Sequence, residues 1–319
     1  MLGLAGVMLT GCARPSSRVR IGFIVKQAEE QWFQDEWRFA GQAAAQRDFD
    51  IIRIGAPDGD RVVTAIDNLW ARYAQGFIIC TPDPLLGPAI KLRAALDGLK
   101  VMSVDDRLID AHGQPIASIP HVGISARNIG ALAGTSALAE ARRRGWDMAS
   151  TGLLRIAFDT LETGRDRTMG ARDALLAAGF TAGQVFDAAQ RTTDTEGGFT
   201  ATSPVITRHA NIRHWILVGM NDETVLGGVR AAEGAGFGAN DLIGVGIGGS
   251  GSAVAEFRRA GMTGFWASIL LSPRRHGFDT SMAMFDWITK GIRPAAVTFT
   301  TGALMARDNY QGLLAKDAA

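Results

Sequence analysis

The chain contains 319 residues with a formal net charge of +1, and 47% of its residues are hydrophobic. The length suits two α/β domains of about 150 residues each, and the composition excludes a disordered or collagen-like chain. Acidic and basic residues are mixed along the sequence, whereas a nucleic-acid-binding protein would show a clustered basic surface. The one basic run, Arg142–Arg144, directly precedes Gly145, and we predict that it ends a helix and faces the helix dipole.

The first eleven residues, Met1–Gly11, are uncharged and mostly apolar, and they are too short to span a bilayer. They lead into Leu-Thr-Gly-Cys at positions 9–12, which looks like the cleavage box of a bacterial lipoprotein signal peptide. Such a signal would be removed and Cys12 would be lipidated. No Lys or Arg precedes the apolar stretch, as signal peptides normally require, and a start codon placed too far downstream would explain this. The alternative is a disordered apolar tail with a chance cysteine.

From Val19 onward, short apolar runs alternate with longer stretches of helical spacing. The predicted strands are Val19–Val25, Asp50–Gly55, Gly76–Cys80, Leu99–Val104, Leu153–Phe158, Trp215–Gly219, Leu242–Ile247 and Thr263–Ile269. Such alternation is typical of parallel sheets that are covered by helices on both faces. The number of repeated units favours two doubly wound sheets over one.

Ligands of doubly wound sheets bind beyond the carboxyl ends of the strands, so polar residues that follow a strand are candidate site residues. The candidates are Lys26–Glu30 after the first strand, Asp105 and Asp106 after the fourth, Asn221 and Asp222 after Trp215–Gly219, and the glycine-rich Gly246–Ser252. Polar groups thus converge from at least four strand ends.

Trp32 is a candidate for stacking on a ligand. The apolar stripe of the predicted helix at 31–45 consists of Phe33, Trp37, Ala40 and Ala44. Trp32 lies about 100° away from that stripe, in the first turn beside the loop that carries Lys26 and Glu30. A sugar has apolar C–H faces and a rim of hydroxyls, so its site needs an aromatic plate next to planar polar groups. The alternative is a Trp that fills a gap between helix and loop.

The adjacent acids Asp105 and Asp106 could form a general acid/base pair. Neighbouring residues of an extended chain point in opposite directions, however. We therefore expect one of them to brace the loop and the other to face the cleft, and we favour binding over catalysis.

No cofactor or metal site is predicted. Gly244–Gly249 fits the glycine spacing of a dinucleotide fingerprint, but its first glycine falls inside a strand and the expected acid falls in the apolar run Phe265–Leu271. Glycine here more simply lets the backbone approach a ligand or a helix. His209 and His214 have the wrong spacing for one helix face. Cys80, at the end of an apolar strand, is expected to be a small buried residue.

Five segments of the chain resemble the periplasmic L-arabinose-binding proteins. They are Ile21–Phe33 (IGFIVKQAEEQWF), Gly76–Pro84 (GFIICTPDP), Ser103–Asp106 (SVDD), Leu161–Gly170 (LETGRDRTMG) and His214–Glu233 (HWILVGMNDETVLGGVRAAE). The similarity runs from about Val19 to the C-terminus with almost no gaps. It implies the type I periplasmic-binding-protein fold, in which two doubly wound parallel-sheet α/β domains are joined by a three-segment hinge and close over one sugar. By this similarity the domains are 19–124 with 270–299 and 125–269 with 300–319. Residues 1–18 are the lipoprotein-type signal and tether predicted above, and this start differs from that of the family.

The resemblance also implies roles for individual residues. Lys26, Glu30, Asp106, Arg167 and Asn221 match hydroxyl-binding positions of the family, Trp32 and Phe33 match its aromatic contacts, and Cys80, Asp105 and Thr163 match pocket-wall positions. Charged and planar groups of this kind can each pair with several hydroxyls.

Two departures from the family concern the identity of the sugar. The family's loop reads Gly-Ile-Asn-Gly, whereas this chain has Gly248 in place of the Asn that bonds a sugar hydroxyl, followed by a one-residue insertion. The family often has Met where this chain has Ile124, near the outer carbon of the sugar. We therefore expect the ligand to be an aldose, such as L-arabinose, D-galactose or D-fucose, without choosing among them.

Three classes of function follow. The first is the periplasmic or membrane-tethered receptor of an ABC sugar importer, a monomer without cofactor whose partner is a membrane permease, and the sequence leaves open whether a chemoreceptor also docks. The second is a sugar-responsive transcription regulator, disfavoured because only eighteen residues precede the first predicted strand, too few for a helix-turn-helix domain. The third is an α/β enzyme, disfavoured because no nucleophile is assembled with a base.

Overall fold

The computed structural model of the chain describes residues 18–318, so Cys12 and the predicted signal segment lie outside the described residues. The contacts divide the chain into two compact units. Unit 1 consists of the residues up to His121 together with Gly277–Ala296, and unit 2 consists of Val122–His276 with Val297–Ala319. The resemblance places the chain crossings after residues 124, 269 and 299, and the contacts place them after residues 121, 276 and 296.

Strands and helices alternate along the first part of unit 1. They are β1 (Arg20–Val25), α1 (Gln31–Arg47), β2 (Asp50–Gly55), α2 (Gly59–Ala71), β3 (Gly76–Ile79), α3 (Gly87–Leu96), β4 (Lys100–Asp105) and, at the crossing, β5 (His121–Ile124). The returning segment adds the helix Thr280–Lys290, which is α9 in chain order.

Unit 2 repeats this alternation. Its elements are α4 (Ala126–Arg143), β6 (Thr151–Ala157), α5 (Glu162–Ala177), β7 (Val185–Ala189), α6 (Thr195–Arg208), β8 (His214–Val218), α7 (Asp222–Gly234), β9 (Leu242–Gly248), α8 (Gly251–Phe257), β10 (Phe265–Leu270), β11 (Val297–Thr300), β12 (Ala303–Ala306) and α10 (Tyr310–Ala318). None of the helices within residues 18–318 is long and apolar enough to cross a bilayer.

The strands form two six-stranded sheets, with the orders β11-β5-β4-β3-β1-β2 and β12-β10-β9-β8-β6-β7. Parallel pairing joins β2, β1, β3 and β4 in the first sheet, and it joins β7, β6, β8, β9 and β10 in the second. At the edge of the second sheet, β12 runs antiparallel to its neighbour β10. The predicted fold class of two doubly wound parallel-sheet domains is therefore confirmed.

The apolar pattern explains why these elements form. The predicted stripe of α1 is buried at every position: Phe33, Trp37, Ala40 and Ala44 are 3%, 8%, 0% and 7% exposed. All eight predicted strands are present, and their bounds shift by at most two residues. The strands β5, β7, β11 and β12 were not predicted, and each of them has only four or five residues. As expected, α4 ends at Arg143, and Gly145 has the positive φ of 72° that favours glycine after a helix.

Candidate functional site

In unit 1, polar side chains meet where three neighbouring strands end. Lys26 directly follows β1, Cys80 follows β3, and Asp106 follows β4, and these strands are adjacent in the order β4-β3-β1. The Nζ atom of Lys26 lies 2.5 Å from Oδ2 of Asp106, and the Cys80 thiol lies 3.8 Å from the same oxygen. Because parallel strands end at one edge of the sheet, residues far apart in sequence share this cluster.

The other acid of the pair, Asp105, is hydrogen-bonded to Trp32, the candidate for stacking. Trp32 donates its indole N–H to Oδ2 of Asp105 at 3.3 Å. The expectation that the chain is extended at the acid pair is wrong: Asp105 has a φ of 60°, and the N–H of Asp106 donates to the Val104 carbonyl at 2.8 Å. The backbone therefore turns at Asp105, a conformation that aspartate tolerates better than most residues. The two carboxylates still have separate partners, since one bonds the tryptophan and the other the lysine.

Burial and charge stabilise the cluster as an ion pair beside a neutral thiol. Burial opposes the charge of Lys26, but the pKa of its ammonium is nevertheless raised because the carboxylates of Asp106 and Asp105 face it. Burial raises the pKa of the Cys80 thiol, and the negative charges of Asp105 and Asp106 add to that effect. Lys26 therefore stays cationic at neutral pH and Cys80 stays protonated, which makes the thiol an inert wall and not a nucleophile.

Glu36 is a residue of this cluster that the sequence reasoning missed. It lies on the buried face of α1 and is 0% exposed. Burial, and then the nearby Asp105 carboxylate, raise the pKa of Glu36 well above its usual range. A protonated Glu36 can donate a hydrogen bond to Asp105, which in turn accepts from Trp32. A glutamate one position before Trp37 on an otherwise apolar helix face was the signal that could have identified it.

The remaining predicted residues of this region differ in exposure. Glu30 is exposed and directly precedes α1, so its carboxylate is open to a ligand. Phe33 is only 3% exposed and belongs to the core stripe. Ile124 is the last residue of β5 and is half-buried.

In unit 2, the predicted residues lie on helices that follow adjacent strands. Thr163 and Arg167 lie in the first two turns of α5, which follows β6, and both are half-buried. Asn221 directly precedes α7, which follows β8, and β6 and β8 are paired. A guanidinium N–H of Arg167 donates to the carbonyl of Met220 at 2.7 Å, which holds this arginine next to Asn221.

Asn221 has a structural task as well as its predicted one. Its side-chain oxygen accepts the N–H of Thr224 at 2.9 Å and so caps α7. Its amide nitrogen donates to the Thr193 carbonyl at 2.8 Å. One lone pair and one N–H of the amide are left, which is enough for a sugar hydroxyl that both donates and accepts.

The loop at Gly248 is shaped by Asp222, whose structural role the sequence did not reveal. Asp222 is fully buried, and its carboxylate accepts the Ser268 hydroxyl at 2.6 Å and the Ser250 N–H at 2.7 Å. Burial is the main cause that raises the pKa of Asp222 to about 6, and these two hydrogen bonds offset only part of it. Gly248 has a φ of 135°, and a Cβ at this position would lie 3.2 Å from Oδ2 of Asp222. A side chain such as Asn would therefore be strained here.

Donors of the glycine-rich loop are largely used internally. The N–H of Gly249 donates to the Ser268 hydroxyl at 3.0 Å, and the N–H of Ser250 is taken by Asp222. A Cβ on Gly246 would lie 2.2 Å from Oδ1 of Asp222, so this glycine lets α7 approach β9. The interpretation that glycine permits the approach of a helix is confirmed.

The chain has relatives among known proteins. Residues 18–310 match the family described as periplasmic binding proteins and sugar binding domain of LacI family. An ABC transporter L-arabinose-binding periplasmic protein of Azospirillum brasilense is 45% identical over 99% of this chain and 94% of its own length. The L-arabinose-binding periplasmic protein of Escherichia coli K12 is 43% identical over 99% of this chain and 95% of its own length.

The fold also has close counterparts among solved structures. A periplasmic ribose ABC transporter protein of Conexibacter woesei superposes with a TM-score of 0.76, covering 93% of this chain and 95% of its own, at 22% identity. At that identity the likeness concerns the fold alone.

Proposed function

Because the chain belongs to the family of periplasmic binding proteins, we propose that it is the extracytoplasmic receptor of an ABC sugar importer and that it binds an aldose. Members of this family are solute-binding proteins and not enzymes. The single observation that carries the proposal for the ligand is the cluster of unit 1, where a lysine–aspartate pair at 2.5 Å adjoins an indole that is itself bonded to a second aspartate.

This cluster suits a sugar for chemical reasons. Lys26 can donate to a ring or hydroxyl oxygen, the Asp106 carboxylate can accept from hydroxyls, and the Trp32 ring offers an apolar face to C–H groups. The candidates of unit 2 supply the same kinds of group, since Arg167 donates and Asn221 does both. We assign the hydroxyl-binding roles to Lys26, Glu30, Asp106, Arg167 and Asn221. Trp32 would stack on the sugar and Phe33 would support it from the core side, while Cys80, Asp105, Ile124 and Thr163 would form the walls.

The preferred sugar is the second part of the proposal, namely that L-arabinose is not the tightest ligand. Two curated relatives are named for L-arabinose, but this chain lacks an amide side chain at Gly248. The internal bonds of the Gly249 and Ser250 N–H groups support a corner with few donors to replace that amide. A sugar that has no hydroxyl at that corner, or whose hydroxyl there points elsewhere, would lose the fewest hydrogen bonds when it leaves water. A deoxy sugar or hexose related to galactose is therefore the favoured ligand.

Calorimetry of the wild-type protein with L-arabinose, D-galactose and D-fucose tests both parts. We expect at least one of the three to bind, to be recovered unchanged, and L-arabinose not to be the tightest by tenfold or more. If no aldose binds, or if the sugar is chemically converted, the proposed receptor function is wrong. A tenfold preference for L-arabinose would overturn only the choice of ligand. Gly248→Asn is a poor test of the choice, because the positive φ strains any side chain there.

The protein is periplasmic, and we further propose that it is held at the membrane through Cys12. The support is the apolar segment at 1–11 that ends in Leu-Thr-Gly-Cys. The several acyl chains of a lipoprotein would hold firmly where a single chain would not. Expressed with a working signal, the wild type should fractionate with membranes, and Cys12→Ser should move the protein to the soluble fraction. Identical fractionation of the two would refute the anchor. The membrane permease is the expected partner, and we expect the receptor to be a monomer.

A further inference from the structure

A basic cleft lies in unit 1, among residues that belong neither to the polar cluster nor to its walls. Its volume is about 630 Å³, and it runs beside β2, the last strand of the first sheet. The polar lining consists of Arg20, Asp50, Arg53, Arg72 and Tyr73. Three arginines against one aspartate give a net charge of +2 (3 − 1). The ligand that such a lining favours is an anion.

Two of the three arginines are available to a ligand. Arg20 is engaged, since it lies 3.8 Å from the Asp50 carboxylate and donates to the Arg72 carbonyl at 2.9 Å. Arg53 and Arg72 are exposed, and neither forms an ion pair with any residue between 18 and 318. Arginine pairs with phosphate or carboxylate oxygens in a bidentate manner and is weakly hydrated, so a phosphate group is one anion that these two residues suit.

The chain enters unit 1 at the rim of this cleft. Arg18 donates to the Phe49 carbonyl at 3.3 Å, and Phe49 lines the cleft. Only five residues separate Arg18 from Cys12. Six residue steps span at most about 20 Å when fully extended. A lipid on Cys12 would therefore hold this end of unit 1 close to the bilayer surface.

Aromatic side chains adjoin the basic residues. Tyr73 is 70% exposed and has a φ of 60°, a conformation that favours glycine over a residue with a large ring. Trp70, in the last turn of α2, is 58% exposed, and its carbonyl accepts the N–H of Tyr73. Exposed Trp and Tyr beside cations are typical of surfaces that rest at the headgroup level of a membrane. The combination separates a lipid surface from a small soluble anion, which would need no exposed aromatic rim.

We propose that the cleft at Arg53, Arg72 and Tyr73 binds the headgroup of an anionic phospholipid, so that this end of unit 1 rests on the bilayer to which Cys12 is anchored. The proposal rests on the lipid anchor proposed above. The chain segment at 13–17 is a poor occupant of the cleft, because its charged residue is Arg14, which the arginines of the lining would repel.

Vesicle sedimentation of the mature chain with Cys12→Ser tests the surface without the covalent anchor. The vesicles are phosphatidylcholine alone or phosphatidylcholine with three parts in ten of phosphatidylglycerol, in about 50 mM salt, where surface charges are screened less than at physiological salt. We compare Arg53→Gln/Arg72→Gln with Arg61→Gln/Lys91→Gln. The latter removes the same charge from two exposed cations of unit 1 that do not line the cleft.

The mature chain should partition onto the anionic vesicles and far less onto neutral ones. Loss of Arg53 and Arg72 should lower that partition by about 10- to 30-fold, since each basic residue near an anionic surface adds about 1 kcal/mol, and the control pair should change it by less. Brominated lipid should quench tryptophan emission, and Trp70→Phe should remove most of that quenching. Equal loss in the two double variants, or unchanged quenching in Trp70→Phe, would overturn the proposal.

Two further outcomes separate this proposal from those before it. Glycerol 1-phosphate that binds the cleft while the vesicles do not would show a soluble anion site and refute the membrane surface. Sugar calorimetry on the same variants should give unchanged affinity, because the cleft residues lie outside the polar cluster. If the protein binds vesicles but no aldose, the proposed receptor function is wrong and the proposed membrane surface is still supported. The fractionation of Cys12→Ser tests the lipid anchor independently of these measurements.

Discussion

The Nζ atom of Lys26 lies 2.5 Å from Oδ2 of Asp106, although 80 positions separate the two residues in the chain. The contact exists because Lys26 follows β1 and Asp106 follows β4, with only β3 between these strands. Both side chains are about one fifth exposed. Each group therefore has a fixed direction before a ligand arrives, and the ordering entropy that a sugar must otherwise overcome is reduced.

Lys26→Met should weaken the affinity for the preferred aldose while leaving the fold intact. The change removes a donor to the sugar and the partner that fixes the direction of Asp106. We expect a loss of about 1–3 kcal/mol, or roughly 5- to 150-fold in Kd. Asp106→Ala should have a loss of the same size. Calorimetry gives the affinity, and Lys91→Met, an exposed lysine of α3, is the matched control. Normal affinity in Lys26→Met would mean that the pair is only structural.

Trp32 should contribute to sugar binding in two separable ways. Its ring can stack on the sugar, and its N–H donates to Asp105 at 3.3 Å. Trp32→Phe keeps an aromatic face and loses the hydrogen bond, whereas Trp32→Ala loses both. We expect the alanine variant to lose about 1–3 kcal/mol of binding and the phenylalanine variant to fall between it and the wild type.

The control for this series is Trp70→Ala, because Trp70 is exposed on α2 of the same unit and lies outside the polar cluster. It should bind sugar like the wild type. Folding should be little changed in either Trp32 variant, since Trp32 lies off the buried stripe of α1. If Trp32→Ala binds sugar normally, or fails to fold, the stacking role is wrong.

Glu36 is predicted to act as a positioning residue behind Asp105. Burial raises the pKa of Glu36 well above its usual range, and a protonated Glu36 can donate to Asp105 without adding a second negative charge. Glu36→Gln preserves a donor of similar shape and should retain sugar affinity within about twofold, since hydrogen bonds of similar geometry replace one another. Glu36→Leu removes the donor and should weaken binding by about 1 kcal/mol or more. Rescue by Gln but not by Leu distinguishes positioning from packing, and equal affinities for both would contradict it.

Much of this architecture is readable from the sequence because it depends on periodicity. The stripe of α1 and the apolar runs of the central strands each report burial on one or both faces, and the structure confirms them. The edge strand Val185–Ala189 was not predicted because Asp187 interrupts its apolar residues and only Ala188 of the five is buried. Residues that follow central strands were likewise identifiable from the rule for parallel sheets, and the structure brings Lys26, Cys80 and Asp106 together.

Other details of the candidate site could not be predicted, because they depend on local backbone geometry and on partners that are distant in sequence. The φ of 60° at Asp105 turns the backbone at the acid pair, and nothing in the sequence marks this aspartate as left-handed. The sequence predicts that Gly248 removes a ligand contact. The structure adds that its φ of 135° and the nearby Asp222 leave no room for an unstrained side chain. That constraint comes from a carboxylate on a helix that is distant in sequence.

Asp222 should make the stability of the folded chain depend on pH. Burial raises the pKa of its carboxyl from 3.8 to about 6 in the folded chain. The folded state therefore holds this proton over a pH range in which the unfolded state has already lost it. Stability contributed by protonated Asp222 is present below about pH 4 and is lost as pH rises toward about 6. Above that range both states are ionised and the contribution no longer changes.

Asp222→Asn removes this titration, so the comparison with wild type isolates it. The difference of about 2.2 pKa units (6 − 3.8) corresponds to about 3 kcal/mol. Urea unfolding followed by tryptophan emission at pH 4, 5, 6, 7 and 8 gives the free energy of unfolding of each protein. At pH 4 the unfolded carboxyl is already partly ionised, so the wild-type value minus the variant value should fall by about 2 kcal/mol between pH 4 and pH 6.5 and stay nearly flat to pH 8.

Asp110 provides a control of opposite sign, because backbone N–H groups of Gln114 and His112 lower the pKa of its exposed carboxyl. For Asp110→Asn the wild-type advantage should grow as pH rises through the acid range, since a lowered pKa stabilises the folded state above the unfolded pKa. If the stability difference changes with pH in opposite directions for Asp222→Asn and Asp110→Asn, each effect comes from its own carboxyl. A general change in net charge is then excluded as the cause. If the Asp222 difference is the same at pH 4 and pH 7, the carboxylate is ionised in the folded chain, and its bonds to Ser268 and Ser250 then fully offset burial.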